Sequence, residues 1–228
     1  QLSTGKVERA IEHIPVLPDQ AAKRGFVDRV AYEDEVRPYL TKHYGTGQLL
    51  RSGYDPTPSR NRGWQGRPEV AVVYIDGSII RGESSEAPLI GGILSGSATL
   101  TRVLDRLARD PNTKAVVLRV DSPGGSAVAS DVIYRAIRRL AQQKPVVASM
   151  GDVAASGGYY VAAGADTIFA TPNTLTGSIG IYAGKFSIGR LADVLGINQT
   201  EVQRGKHSGL FEIFEPWTKQ QRESVSRS

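Results

Sequence analysis

Residues 115–160 read AVVLRVDSPGGSAVASDVIYRAIRRLAQQKPVVASMGDVAASGGYY, and this stretch decides the fold. Residues 115–120 form an apolar, β-branched run of strand length, closed by Asp121-Ser-Pro-Gly-Gly-Ser126. Residues 130–142 then place Val132, Ile133, Ala136, Ile137 and Leu140 at helical spacing. A second apolar run, residues 145–150, closes in Gly151-Asp-Val-Ala-Ala-Ser-Gly-Gly-Tyr159. The order strand, glycine turn, helix, strand, glycine turn predicts an α/β fold with a mainly parallel sheet. The strands lack polar alternation, which predicts burial on both faces.

The same alternation extends outward. A strand is expected at 70–75, ended by Asp76-Gly77, and a helix at 99–109 carrying Leu100, Val103, Leu104 and Leu107. Further strands are expected at 167–170 and 199–203, and a helix at 186–194. Residues 1–50 are polar and helix-like, with Gly25 as the stop of one helix. Residues 51–68 are rich in Gly, Pro and Ser and read as a linker. The chain thus divides into a helical segment at 1–50, a linker at 51–68 and a catalytic domain at 69–228.

Composition removes several function classes. The chain has 228 residues and no cysteine, which excludes disulfides, thiolate metal sites and cysteine catalysis. The net charge of +5 comes from basic residues scattered along the chain, at Arg102, Arg106, Arg109, Arg135, Arg138 and Arg139 among others. They are not gathered with aromatics as a nucleic-acid surface requires, so no nucleic-acid partner is expected. No apolar run reaches the roughly 18 residues that cross a bilayer. No metal is expected, because no His/Asp/Glu set has ligand spacing, and no cofactor or nucleotide, because no phosphate-loop motif occurs.

Chemistry concentrates in the two glycine turns. In open α/β sheets the ligand crevice lies beyond the carboxyl ends of the strands, where both turns fall. Small residues around Ser156 let its hydroxyl and the adjacent backbone approach a substrate. Free N–H groups of a helix starting at Gly157 would aim at the same place and could hold an oxyanion. Gly124 or Gly125 could supply a second N–H from the facing turn. Either turn singly is an ordinary turn; the two at equivalent ends of successive strands are specific.

Three motifs, residues 121–126, residues 151–160 and Leu175-Thr-Gly-Ser-Ile-Gly180, together resemble the signal peptide peptidase A (protease IV) family, in the Clp protease/crotonase superfamily. The resemblance runs from about residue 70 to 221. It implies a spiral of β-β-α units and a serine endopeptidase that works by an acyl-enzyme through a Ser/Lys dyad. It implies Ser156 as nucleophile, Ser178 as the hydroxyl that orients the lysine, and Gly124, Gly125 and Gly157 in the oxyanion region. A serine hydroxyl needs a base, and a lysine serves only as the neutral amine. Lys206, in Val202-Gln-Arg-Gly-Lys206, resembles the family's lysine segment. Residues 21–28 resemble the closing segment of an upstream repeat, so a lysine of a missing repeat or of a neighbouring subunit is the alternative base. The resemblance further implies that the C-terminal end of the domain is truncated, and that the protein is a homo-oligomer with residues 87–94 lining its bowl or touching a neighbour. Substrates would be cleaved signal peptides and other short apolar peptides. The location implied is a bacterial cell envelope, with membrane association through a segment outside this chain and the catalytic domain outside the cytoplasm.

Three rival readings are open. A Clp-type Ser-His-Asp protease needs a histidine just after Pro172-Asn173, where the chain has none; its histidines are His13, His43 and His207. A crotonase-like acyl-CoA enzyme would use the oxyanion hole without needing Ser156. A degenerate repeat would keep the turns only as a scaffold.

Overall fold

The computed structural model describes residue 5 and residues 17–44, 68–86, 92–181, 184–200, 202 and 209–226. The chain divides into two compact units, residues 60–182 on one side and residues 1–59 with 183–228 on the other.

In the unit made of residues 1–59 and 183–228, helix α1 (Pro18–Lys23) begins on a proline, whose fixed φ suits a first helical position. It ends at Gly25, whose φ of 75° provides the left-handed stop expected from the sequence. Helix α2 spans Glu33–Tyr44.

Residues 60–182 carry the sheet. Its strands are β1 (Glu69–Asp76), β2 (Ser78–Ile80), β3 (Ser85–Glu86) and β4 (Ile93–Gly96), followed by helix α3 (Ser97–Arg109). Strand β5 (Thr113–Ser122), helix α4 (Ala127–Ala141), strand β6 (Val146–Ala155) and helix α5 (Gly157–Ala162) come next, then β7 (Thr167–Phe169) and β8 (Leu175–Gly177). The main sheet runs β1-β5-β6-β7, with β8 also on β6, and all of its pairings are parallel. A small sheet orders β2-β4-β3, with β3 antiparallel. The expected α/β fold with a mainly parallel sheet is therefore present. One β-β-α passage is complete, from β1 through β2 to α3. After β5 the second strand shrinks to a single parallel bridge between Ile79 and Gly125.

Helices α3 and α4 cover one face of the sheet. Leu100 and Leu104 of α3 and Ile133, Ala136, Ile137 and Leu140 of α4 pack on Ile75, Leu118, Val120, Val146 and Ala148, all buried. Ser126 caps α4, its side chain accepting the Ala129 N–H. The expectation of burial on both faces fails within this unit. Exposure alternates along the strands, and Val70, Val72 and Tyr74 on the second face of β1 are more than half exposed. β-Branched residues suit a strand on either face, so their runs did not reveal which face was covered.

Helix α6 (Gly189–Val194) and helix α7 (Lys219–Ser226) belong to the unit of residues 1–59 and 183–228. Helix α6 starts three residues later than expected. The strand expected at 199–203 is not formed by Gln199, Thr200 or Val202, its described residues. Strand β8, by contrast, was not foreseen, being only three residues long.

Candidate functional site

Strands β5 and β6 both run further than their apolar cores. Strand β5 continues through Asp121 and Ser122, and β6 through residues 151–155, so Ser156 follows directly on the last residue of a parallel strand. Its backbone sits at φ 50° and ψ −118°, a conformation that costs a residue bearing a Cβ about 1–3 kcal/mol. Three contacts impose it. The Ser156 N–H donates to the Gly177 carbonyl at 2.9 Å, and the Ser156 carbonyl accepts the Tyr160 N–H at 2.9 Å. Gly157 and Gly158, both buried, then turn the chain straight into α5. Ser156 itself is only part-buried, and its side chain makes no capping hydrogen bond to α5. Its hydroxyl is therefore not committed to capping the helix.

The two glycine turns touch. A Cβ on Gly124 would lie 2.5 Å from the Gly157 nitrogen and 2.9 Å from the Ser156 Cβ. A Cβ on Gly157 would lie 2.4 Å from the Ser130 Oγ, 3.2 Å from the Gly124 Cα and 3.3 Å from the Gly125 nitrogen. Both positions are glycine because no side chain fits between the turns. Gly124, at φ 98°, also needs the left-handed freedom.

The N–H groups of the facing turn have different fates. Gly124 donates to the buried Ser122 Oγ at 3.1 Å. That hydroxyl in turn donates to the Gly77 carbonyl. At the Ile79–Gly125 bridge, Ile79 donates to the Gly124 carbonyl at 2.8 Å and Ser126 donates to the Ile79 carbonyl at 2.8 Å. Those two bonds complete the parallel bridge, which directs the Gly125 N–H away from Ile79. The Gly157 N–H opens α5 and has no partner inside the helix. The Gly125 and Gly157 N–H groups are thus left uncommitted where the turns meet, while Ser122 engages that of Gly124. Sequence reading treated Ser122 as part of a turn; its place at the end of a strand whose partner is a glycine turn was the available signal.

Ser178 occupies the position after β8 that Ser156 occupies after β6. Ala155 and Gly177 are register partners, and Ser178 also has a positive φ, 49°. It is exposed. Thr176 ties the two strands together, its hydroxyl donating to the Ala154 carbonyl at 2.7 Å.

Residues 60–182 contain no histidine, and Lys114 and Lys144 are their only lysines. Lys114 donates to the Pro111 carbonyl at 2.9 Å, and Lys144 donates to the Leu107 and Asp110 carbonyls. Both stand at the amino ends of β5 and β6, a strand's length from the turns. In the other unit, the Lys185 amine pairs with Glu212 at 3.8 Å and donates to the Gly209 carbonyl at 3.3 Å. Lys206, His207 and His13 lie outside the described residues, as do residues 87–91 of the apolar 87–94 segment. Among the described residues no His/Cys/Asp/Glu group could hold a metal ion, and no helix is long and apolar enough to cross a membrane.

Two carboxyl groups face each other beside the turns, since Asp76 and Asp121 are register partners on β1 and β5. Burial, then the Asp121 charge, push the Asp76 carboxyl above its ordinary value of 3.8, with Arg119 opposing. The folded state therefore holds this proton more tightly than the unfolded chain. The stabilisation is complete below pH 3.8 and is lost as pH rises through the raised value. Asp76→Asn should melt higher than the native protein at pH 7, with the difference vanishing at the acid end. Thermal melts across pH check this, and an equal gain at every pH would contradict it.

Residues 138–228 match the model of Peptidase family S49. The chain is 37% identical over 205 residues to "Serine protease SPPA, chloroplastic" of Arabidopsis thaliana, covering 84% of this chain and 29% of that protein. It is 45% identical over 170 residues to "Protease 4" of Haemophilus influenzae, covering 71% of this chain and 27% of that protein. The chain thus spans less than a third of the length of these curated relatives. Among solved structures it is similar to a 1510-N membrane-bound stomatin-specific protease, with TM-score 0.40 and 24% identity over 57% of this chain and 60% of that one.

Proposed function

Since residues 138–228 match the model of Peptidase family S49 and include Ser156, we propose that this chain carries the nucleophile half of a serine endopeptidase. Ser156 attacks the peptide carbonyl, and the Gly125 and Gly157 N–H groups receive the charge that develops on its oxygen. The amine leaves, and water releases the acyl group from Ser156. The observation that carries this reading is the left-handed backbone of Ser156 at the end of β6, part-buried and pressed against Gly124. Strain of that kind, held in place by glycine packing and two backbone hydrogen bonds, is how a nucleophile is presented at a strand-to-helix turn.

The base in this reading is a lysine, with Ser178 orienting its amine. The unit that holds Ser156 lacks a histidine altogether and has both of its lysines at the far end of the strands, which supports a base from outside residues 60–182. Lys206 is the candidate in this chain, and a lysine of an upstream repeat or a neighbouring subunit is the alternative. The proposed substrates are cleaved signal peptides and other short, unfolded apolar segments, in a membrane-associated oligomer of the bacterial envelope. This rests on likeness to the family.

A fluorophosphonate should label the intact protein at Ser156, located by peptide mass, with label and peptide hydrolysis lost together in Ser156→Ala. A lysine must be neutral to accept a proton, so hydrolysis should rise with pH through the titration of that amine. Lys206→Ala should abolish hydrolysis with the fold intact. Near-native hydrolysis by that variant moves the base to another segment. Labelling elsewhere, with Ser156→Ala fully active, ends the proposal.

A further inference from the structure

The path of β6 into Ser156 is not regular. Val120 pairs with Met150, but Ser122 pairs with Ala154. Two steps along β5 therefore match four along β6, and residues 151–153 bulge opposite Asp121. Bulges of this sort re-aim a strand, and they persist where side chains hold them.

Side chains on one face of β5 hold both ends of this bulge. At its entry the Arg119 guanidinium donates to the Ser149 Oγ at 3.0 Å and to the Met150 carbonyl at 2.9 Å. At its exit the Asp121 Oδ1 accepts the Val153 N–H at 3.1 Å. Between them the Asp121 side chain lies directly over Gly151, where a Cβ would fall 2.8 Å from the Asp121 Cγ. Thr174 secures the bulge from the other side, its hydroxyl donating to the Gly151 carbonyl at 2.9 Å. Beyond the bulge, Ala154 and Ala155 pair with β8 and deliver Ser156 to the Gly177 carbonyl.

We propose that Asp121 is a positioning residue for Ser156: by accepting the Val153 N–H it fixes the bulge that shifts β6 by two residues and sets the nucleophile against the Gly124–Gly125 turn. The inference rests on the serine peptidase reading above. Asp121 acts in this proposal through the β6 backbone, by its bond to Val153. The acceptor oxygen is what matters, so asparagine, whose Oδ1 accepts the same hydrogen bond, should replace it.

The test uses a fluorogenic apolar peptide and fluorophosphonate labelling of the intact protein. Asp121→Ala should lose about 10²-fold in kcat and labelling rate with KM little changed, the expected size for a small misplacement of a reacting group. Asp121→Asn should stay within about fivefold of native, because the single hydrogen bond is retained. Thr174→Val, in an exposed loop, should lose about tenfold by loosening the same bulge. A folded Asp121→Ala protein with native kcat overturns the proposal, and so does an Asn variant as slow as the Ala variant. If Asp121→Ala does not fold, native kcat in Thr174→Val overturns it. A native protein that neither hydrolyses nor labels would instead end the peptidase reading and is distinguished by that control.

Discussion

Ser156→Gly is expected to abolish peptide hydrolysis while leaving the protein as stable as before or more so. In the proposed reaction the lost hydroxyl is the nucleophile, and its removal should lower kcat by roughly 10⁴-fold or more, leaving only what binding and the proposed oxyanion donors supply. Stability moves the other way. At φ 50° and ψ −118° Ser156 stands where glycine is at home, in the backbone of the first central residue of a type II′ turn. Glycine relieves strain of about 1–3 kcal/mol and gives back roughly 0.5–1 kcal/mol in chain entropy. Ser156→Ala should be equally inactive but without the gain, since it keeps the Cβ. Urea denaturation of the three proteins beside a peptidase assay separates the effects. A Gly variant clearly less stable than the Ala variant would show that the turn is not strained and would remove the main support for a presented nucleophile.

The second large effect is expected from one methyl group at Gly124. Its φ of 98° is costly for alanine, by about 1–2 kcal/mol. The added Cβ would also meet the Gly157 nitrogen at 2.5 Å and the Ala155 carbonyl oxygen at 3.0 Å. Neither is a flexible side chain, so the two turns must part, adding about 1–3 kcal/mol. Gly124→Ala should therefore lose about 2–5 kcal/mol of stability. Parting the turns also separates the Gly125 and Gly157 donors, which should lower kcat by about 10²–10³-fold. Gly82 supplies the control. It has φ 89° with nothing within 4 Å of an added Cβ, so Gly82→Ala should lose only the backbone part and keep its kcat. Equal losses in the two variants would mean that contact between the turns is not what matters.

Much of this site could be read from residue order. Pro-Gly-Gly and Ala-Ala-Ser-Gly-Gly each follow an apolar strand, and parallel strands joined by a helix put such turns at the same edge. Chain connectivity therefore brings Gly124 and Ser156 to one place without knowledge of side-chain contacts. Leu104, Ile133 and Leu140 likewise announced a covered sheet face through helical spacing. The limits lay in short-range backbone detail. The periodicity of residues 115–120 and 145–150 stops where the apolar residues stop, so Asp121, Ser122 and residues 151–155 read as turns although they extend the strands. Strand β8 has only Leu175, Thr176 and Gly177, too few for any period to register.

By itself the sequence determined the α/β alternation, the sheet edge where the two glycine turns meet and the serine placed there, because these depend on hydrophobic period and on where glycine interrupts it. Only the tertiary structure decided the rest: which N–H groups of the glycine turns are already bonded, that Ser156 is held in a left-handed conformation, and that Asp121 faces a bulge in β6. Those follow from hydrogen-bond pairing and register between strands far apart in the chain. A one-residue slip would change each of them, while the order of residues would stay the same.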